Sequence, residues 1–275
     1  MPPSANMSNP GLQLSKKIII GSLIILPVVL FLLSLTLGRY QLGPFGVVRV
    51  LLSPLFTDLA NDIPEVAQRL ILRVRLPRIL AALLVGASYG ATGTALQAIF
   101  KNPLVDSNIL GVTTGAGFGA ALALLWMGSQ WQVQISAFVF GLVAVSLAFL
   151  GSRLYKTTPL LVLTLMGILV GSLFSSLTSL LKYVADPLDT LPSITFWLLG
   201  SLTSITWGRM LPLMIFTIGG LVFLWLIRWR LNILSLGDDE AKSLGVDPTT
   251  MKIVIIVCTT LMTAAAVSVS GVIGW

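Results

Sequence analysis

Residues 75–119, RLPRILAALLVGASYGATGTALQAIFKNPLVDSNILGVTTGAGFG, decide the fold. A basic doorstep (Arg69, Arg73, Arg75, Arg78) leads into an uncharged span from Ile79 to Phe100 with glycines spaced along it. A short polar break, Lys101-Asn102-Pro103-Leu104-Val105-Asp106, then opens a second glycine-rich apolar span. An apolar run of bilayer length, a turn and another such run form a membrane hairpin. The information about function sits at the hairpin's ends.

The rest of the 275-residue chain agrees: it is 56% hydrophobic and 10% charged, with a mean hydropathy of +0.96. A soluble domain carries roughly 25% charged residues, so the predicted class is an all-α polytopic membrane protein. The runs are continuous rather than alternating, which argues against a transmembrane β-barrel. With no histidine and one cysteine, Cys258, an intrachain disulfide, His/Cys metal or cluster ligation and histidine acid–base catalysis are excluded. The net charge of +7 reads as loop charge facing lipid headgroups and partner proteins, not nucleic acid.

The polar segment 1–17 reads as a cytoplasmic tail, and 18–275 as the membrane domain. No signal-peptide pattern is evident, so the first helix, Ile18–Leu37, is read as retained. Further helices are predicted at about 78–99, 109–128, 133–152, 159–181, 210–227 and 251–273, making seven. Ile194–Leu202 is too short to span and reads as a surface or re-entrant helix. With the N-terminus inside, Lys101, Arg153, Lys156, Arg228 and Arg230 fall in the cytoplasm, as the positive-inside rule prefers. The same topology puts Arg69, Arg73, Arg75 and Arg78 outside, against that rule.

All ten Asp and Glu residues lie in predicted loops or the tail, from Asp58 to Asp247. A proton-coupled carrier usually keeps a carboxylate in the membrane despite its insertion cost; none is visible here. The chain also has no Gly-Lys dipeptide and hence no P-loop, so if ATP drives it, the ATPase is a separate subunit. Gly86 and Gly90, and Gly111, Gly115 and Gly119, recur at four-residue spacing, which lines one helix face for close packing or for a pathway. Gln97 is expected to make an interhelical hydrogen bond or to line that pathway. In Leu231–Pro248, Asp238, Asp239 and Glu240 sit where a short helix begins, Gly245 fits its end, and Asp247-Pro248 reads as the cap and first position of the next helix.

Three segments together resemble the FecCD family, permease subunits of type II ABC importers for iron–siderophores, haem and cobalamin. The first is Arg75-Leu-Pro-Arg78 with Gly86, Gly93, Gln97, Asn102-Pro103-Leu104, Leu110-Gly111 and Gly115-Ala116. The second is Trp197-Leu-Leu-Gly200-Ser201-Leu202. The third runs from Leu231-Asn232 through Gly237, Ala241 and Leu244-Gly245-Val246 to Gly271-Val-Ile-Gly274.

The resemblance implies that Arg75 and Arg78 dock a periplasmic or lipid-anchored binding protein. It implies that Asn102 and Leu104, with Thr157 and Thr158 between the fourth and fifth helices, form a cytoplasmic gate. It also implies that residues 231–248, with Gly237, Asp238, Asp239, Glu240, Ala241, Leu244 and Gly245, couple to the ATPase. ATP and Mg would be used by that partner and no cofactor held by this chain, which is itself no enzyme. The cargo expected first is a ferric siderophore, with haem or cobalamin as alternatives. A second permease, identical or paralogous, would complete the path in a bacterial inner membrane. The family has ten helices and continues past Gly-Val-Ile-Gly into Phe-x-Gly-Leu-x-x-Pro-His, so a chain ending at Trp275 is expected to be a C-terminally truncated member or a fragment. An ion-coupled secondary carrier is the alternative from another class, and a non-transporting membrane scaffold a third.

Overall fold

The computed structural model describes residues 10–38, 42–56, 62–154 and 160–273. Among them every regular element is a helix. Five helices are long and apolar enough to cross a membrane: Ile18–Thr36 within α1 (Pro10–Thr36), α6 (Gln130–Arg153), α7 (Leu160–Val184), α9 (Trp207–Leu226) and α12 (Pro248–Ser270). The predicted count of seven spans also drew on α4 (Leu76–Phe100), which is 25 residues long, and on α5 (Val112–Leu125), which is 14; neither is among the five.

The chain divides into two compact units, residues 1–79 and 80–275. In the first, α1, α2 (Pro44–Leu52) and α3 (Glu65–Leu70) gather around Leu35, Val47, Val50, Ala67 and Ile71. Above this cluster α1 exposes Ile18 to Leu33 on nearly every side, a surface suited to lipid and not to water. The helix predicted at about 78–99 is α4, which starts at Leu76 and is preceded by further helical turns from Glu65 that the prediction lacked. α3 runs through a π-helical turn, Ile71–Arg75, into α4. Pro77 is the physical reason: proline has no N–H for the carbonyl four residues back and its ring crowds that carbonyl. A widened π turn immediately before it takes up the mismatch without ending the helix.

In the second unit, α5, α6, α7 and α12 share one core with the inner half of α4 and with α10 (Arg228–Leu236). α12 is the most buried span, because its Thr263-Ala264-Ala265-Ala266 run lets neighbouring backbones close in. The packing expected of glycine holds on α5. A Cβ at Gly115 would sit 2.5 Å from the Phe140 carbonyl oxygen of α6, and one at Gly119 would overlap that of Ser136. Gly111 adopts φ +82° and links a 3-10 turn, Ser107–Leu110, to α5, and a Cβ placed on it would lie 3.2 Å from the Gly167 carbonyl oxygen of α7. This turn shortens the helix predicted at 109–128.

Gly86 and Gly90 differ: nothing among the described residues lies within 4 Å of a Cβ placed there. These two have no packing neighbour among the described residues and leave one face of α4 open within them. The short segment predicted at 194–202 is α8 (Thr190–Leu199).

Candidate functional site

At one end of the second unit, where α4, α6 and α9 finish and α12 starts, the polar break and the 231–248 segment meet. Lys101 takes φ +51°, turning the chain out of α4, and its Nζ donates to the Leu236 carbonyl at 3.0 Å. The Asn102 Oδ1 accepts from the Leu104 N–H at 3.0 Å, an Asx-type turn that holds Pro103 at the corner. Leu104 is thereby left 86% exposed. Asp106 next caps the 3-10 turn, accepting from the N–H groups of Asn108 and Ile109 at 3.0 and 3.2 Å, while Thr113 donates to Asn108.

The facing segment is equally built by local chemistry. α10 ends at Gly237, and α11 (Asp238–Ser243) starts with Asp238, Asp239 and Glu240 in its first turn, where acids suit the helix dipole. Asp238 is fixed by Lys252 of α12, whose Nζ lies 2.7 Å from both carboxylate oxygens. Ala241 is fully buried and anchors α11, whereas Leu244 is 54% and Leu236 64% exposed. Gly245 has φ +76° past the helix end. Asp247 caps α12 by accepting from the N–H groups of Thr249 and Thr250, and the hydrogen bonds from Thr250, ahead of that from Thr249, hold its carboxyl below the usual carboxylate range. Pro248 follows at the first helical position. So Asn102, Leu104 and the exposed coupling residues Asp238, Asp239, Glu240, Leu244 and Gly245 stand at one end of the unit, where Lys101 links the two segments; Leu104, Leu236 and Leu244 are presented to solvent, and Gly237 and Ala241 are buried. Thr157 and Thr158 lie outside the described residues.

In the first unit, Arg75 Nη1 donates to the Leu35 carbonyl near the end of α1 at 2.7 Å, so it is half-buried and holds two helices together. Arg78 is half-buried, and its Nε has no hydrogen-bond partner among the described residues. Arg73 is exposed, and Arg69 pairs with Glu65 at 2.8 Å. Gln97 is half-buried and makes no side-chain hydrogen bond among the described residues, so the hydrogen-bond reading is not met. The open face of α4 lines a cavity of about 360 Å3 with Gly86, Tyr89, Gly93, Asp106 and Asn108. Among the described residues no three carboxylate or cysteine side chains gather as a metal cage.

A family model, the FecCD transport family, matches residues 25–275. The chain belongs to the FecCD transport family. It is an ABC permease of that family. The molybdate import permease MolB of Haemophilus influenzae is 40% identical over 94% of this chain and 76% of its own length. A permease assigned to iron chelatin transport in Helicobacter pylori is 40% identical over 75% of this chain and 62% of its own. The solved inward-facing structure of a transporter described as metal-chelate type superposes with a TM-score of 0.81 at 38% identity, covering 94% of this FecCD permease and 78% of the other chain.

Sequence reasoning missed a polar cavity at the opposite end of the second unit. α9 starts at Trp207, earlier than the predicted 210, and so brings Arg209 inside a 20-residue span. The Gln134 Nε2 of α6, 5% exposed, donates to the Arg209 carbonyl at 3.1 Å. A lone arginine at the start of an apolar run was the available signal.

Proposed function

We propose that this FecCD permease is the membrane half of an ATP-driven importer whose cargo is handed over by a binding protein outside and released into the cytoplasm. The observation that carries the reading is the joined surface of residues 101–106 and 231–248. Lys101 ties the break to the end of α10, so a push on α11 reaches the Asn102–Leu104 turn through one hydrogen bond and a shared core. A separate ATPase would seat on Leu236, Asp239, Glu240 and Leu244. Its hydrolysis cycle would move α11 and with it the gate that Asn102 and Leu104 form with Thr157 and Thr158. Arg75 and Arg78 would meet acidic groups of the binding protein. Gly86, Gly90 and Gln97, on the open side of α4, would line the path or receive a second permease copy, while Gly111 and Gly115 keep α5 close to its neighbours.

The cargo is proposed to be a ferric siderophore or a related metal chelate, in keeping with the iron chelatin relative and the metal-chelate type structure. The permease of molybdate import, similar over 94% of the chain, favours a second reading in which the cargo is a metal oxyanion. Competing uptake of radiolabelled ferric chelate, haem, cobalamin and molybdate by cells carrying the complete transporter separates them.

Coupling is tested by changing Asp239 and Glu240 to Lys. ATPase stimulation by the loaded binding protein should fall to the unstimulated level; full stimulation would sink the assignment. Arg78→Glu is the cleaner docking probe, because Arg75→Glu also breaks the tie to Leu35. It should weaken binding-protein capture by about tenfold or more, the loss of a charge-assisted contact.

A further inference from the structure

The cavity around Arg209 has a volume of about 360 Å3 and lies where α5 ends, α6 and α9 begin and α12 ends. That is the end of the second unit opposite Lys101 and Leu236. Its lining is mixed and carries no acid: Gln130, Gln134, Ser193, Thr203 and Ser204 share it with Arg209 and with the apolar Phe196 and Trp197, and no carboxylate is among the lining residues. The arginine is held at both its ends. Gln134 grips its carbonyl, and its Nη1 donates to the Ser204 carbonyl at 3.0 Å. The rest of the guanidinium's donor fork meets no carboxylate among the described residues.

A charge placed in a membrane span is costly and is retained where it faces a polar cavity or serves a ligand. A positioned guanidinium with amide and hydroxyl neighbours recognises anionic oxygen. The volume is at the small end of the ~300–1,000 Å3 typical of ligand pockets, room for a small oxyanion or one arm of a larger chelate.

We propose that the Arg209 cavity is an anion subsite on the entry side of the permease, holding anionic oxygens of the cargo. The proposal rests on the reading of the chain as an importer. Two sources share this chemistry, a free tetrahedral oxyanion and a carboxylate arm of a metal chelate.

Equilibrium dialysis of the purified full chain in detergent, against sodium molybdate in one arm and ferric citrate in the other, tests it without the ATPase or the binding protein. Saturable binding is expected in at least one arm; molybdate alone assigns the subsite to small oxyanions, ferric citrate alone to chelate arms. Arg209→Gln should weaken binding by about tenfold or more, and Arg209→Lys by less. Thr203→Glu, which adds an acid to the exposed lining and leaves the supports of Arg209 in place, should weaken it comparably. Arg153→Gln, at the far end of α6, should bind as the parent does. Circular dichroism and gel filtration establish that each variant is folded. No saturable binding by the folded parent, or parental binding by both Arg209→Gln and Thr203→Glu, overturns the proposal. Transport could persist in that case, and a failure of transport would leave a positive binding result standing.

Discussion

Asp247 joins acid–base chemistry to helix stability. Its cap hydrogen bonds require the carboxylate, and they hold its folded pKa below the ordinary value. The sign follows: the contribution is fully present above the unfolded pKa and is lost as pH falls through the lowered folded value. Asp247→Ala should therefore lower the thermal midpoint in detergent at neutral pH and leave a shallower acid dependence than the parent shows. Parallel melting curves against pH would contradict this. Thr217 makes the opposite point. It is fully buried, and its hydroxyl has no hydrogen-bond partner among the described residues. Most membrane hydroxyls here bond back to a carbonyl on their own helix, as Thr259 and Thr260 do. Thr217→Val keeps the shape and removes an unsatisfied group, so it should be neutral or stabilising by about 1 kcal/mol.

Helix by helix, the two glycine series behave differently because only one has a neighbour. On α5, Gly119 faces the Ser136 carbonyl, and a side chain there must push α6 away. Gly119→Ala should destabilise by about 1–3 kcal/mol, the usual result of overpacking. Gly86→Ala, with open space around it, should change stability by no more than about 0.5 kcal/mol while affecting uptake if that face lines the path. Melting midpoints of the two variants check the difference.

What could be read in the sequence follows the same division between local and distant causes. The Asn102-Pro103 break, the acidic start of α11 and the Asp247-Pro248 cap were legible, since each is settled by bonds within a few residues. The helical stretch ahead of α4 was not: Pro77 marks a break in the pattern, and the π turn before it joins α4 to the turns from Glu65. Gly86 and Gly119 share a spacing logic, and nothing in that spacing says which has a partner. The bond from Lys101 to Leu236, and the grip of Gln134 on Arg209, join residues 135 and 75 positions apart. Those depend on how the helices pack, which periodicity does not encode.

Taken as a whole, the molecule is a FecCD permease, with neither a carboxylate among the fully buried residues of its described part nor a P-loop in its sequence. In the importer proposed for it, drive comes from a separate ATPase subunit and not from the ion gradient. External drive through the surface shared by residues 101–106 and 231–248 is thus the central claim. It is tested most directly by uptake of labelled cargo in cells carrying the permease with its ATPase and binding protein, measured with a protonophore present and ATP held constant. Uptake should continue at close to its rate without protonophore, and should stop when ATP is depleted with the gradient intact. Uptake that collapses with the protonophore while ATP is maintained would contradict the claim.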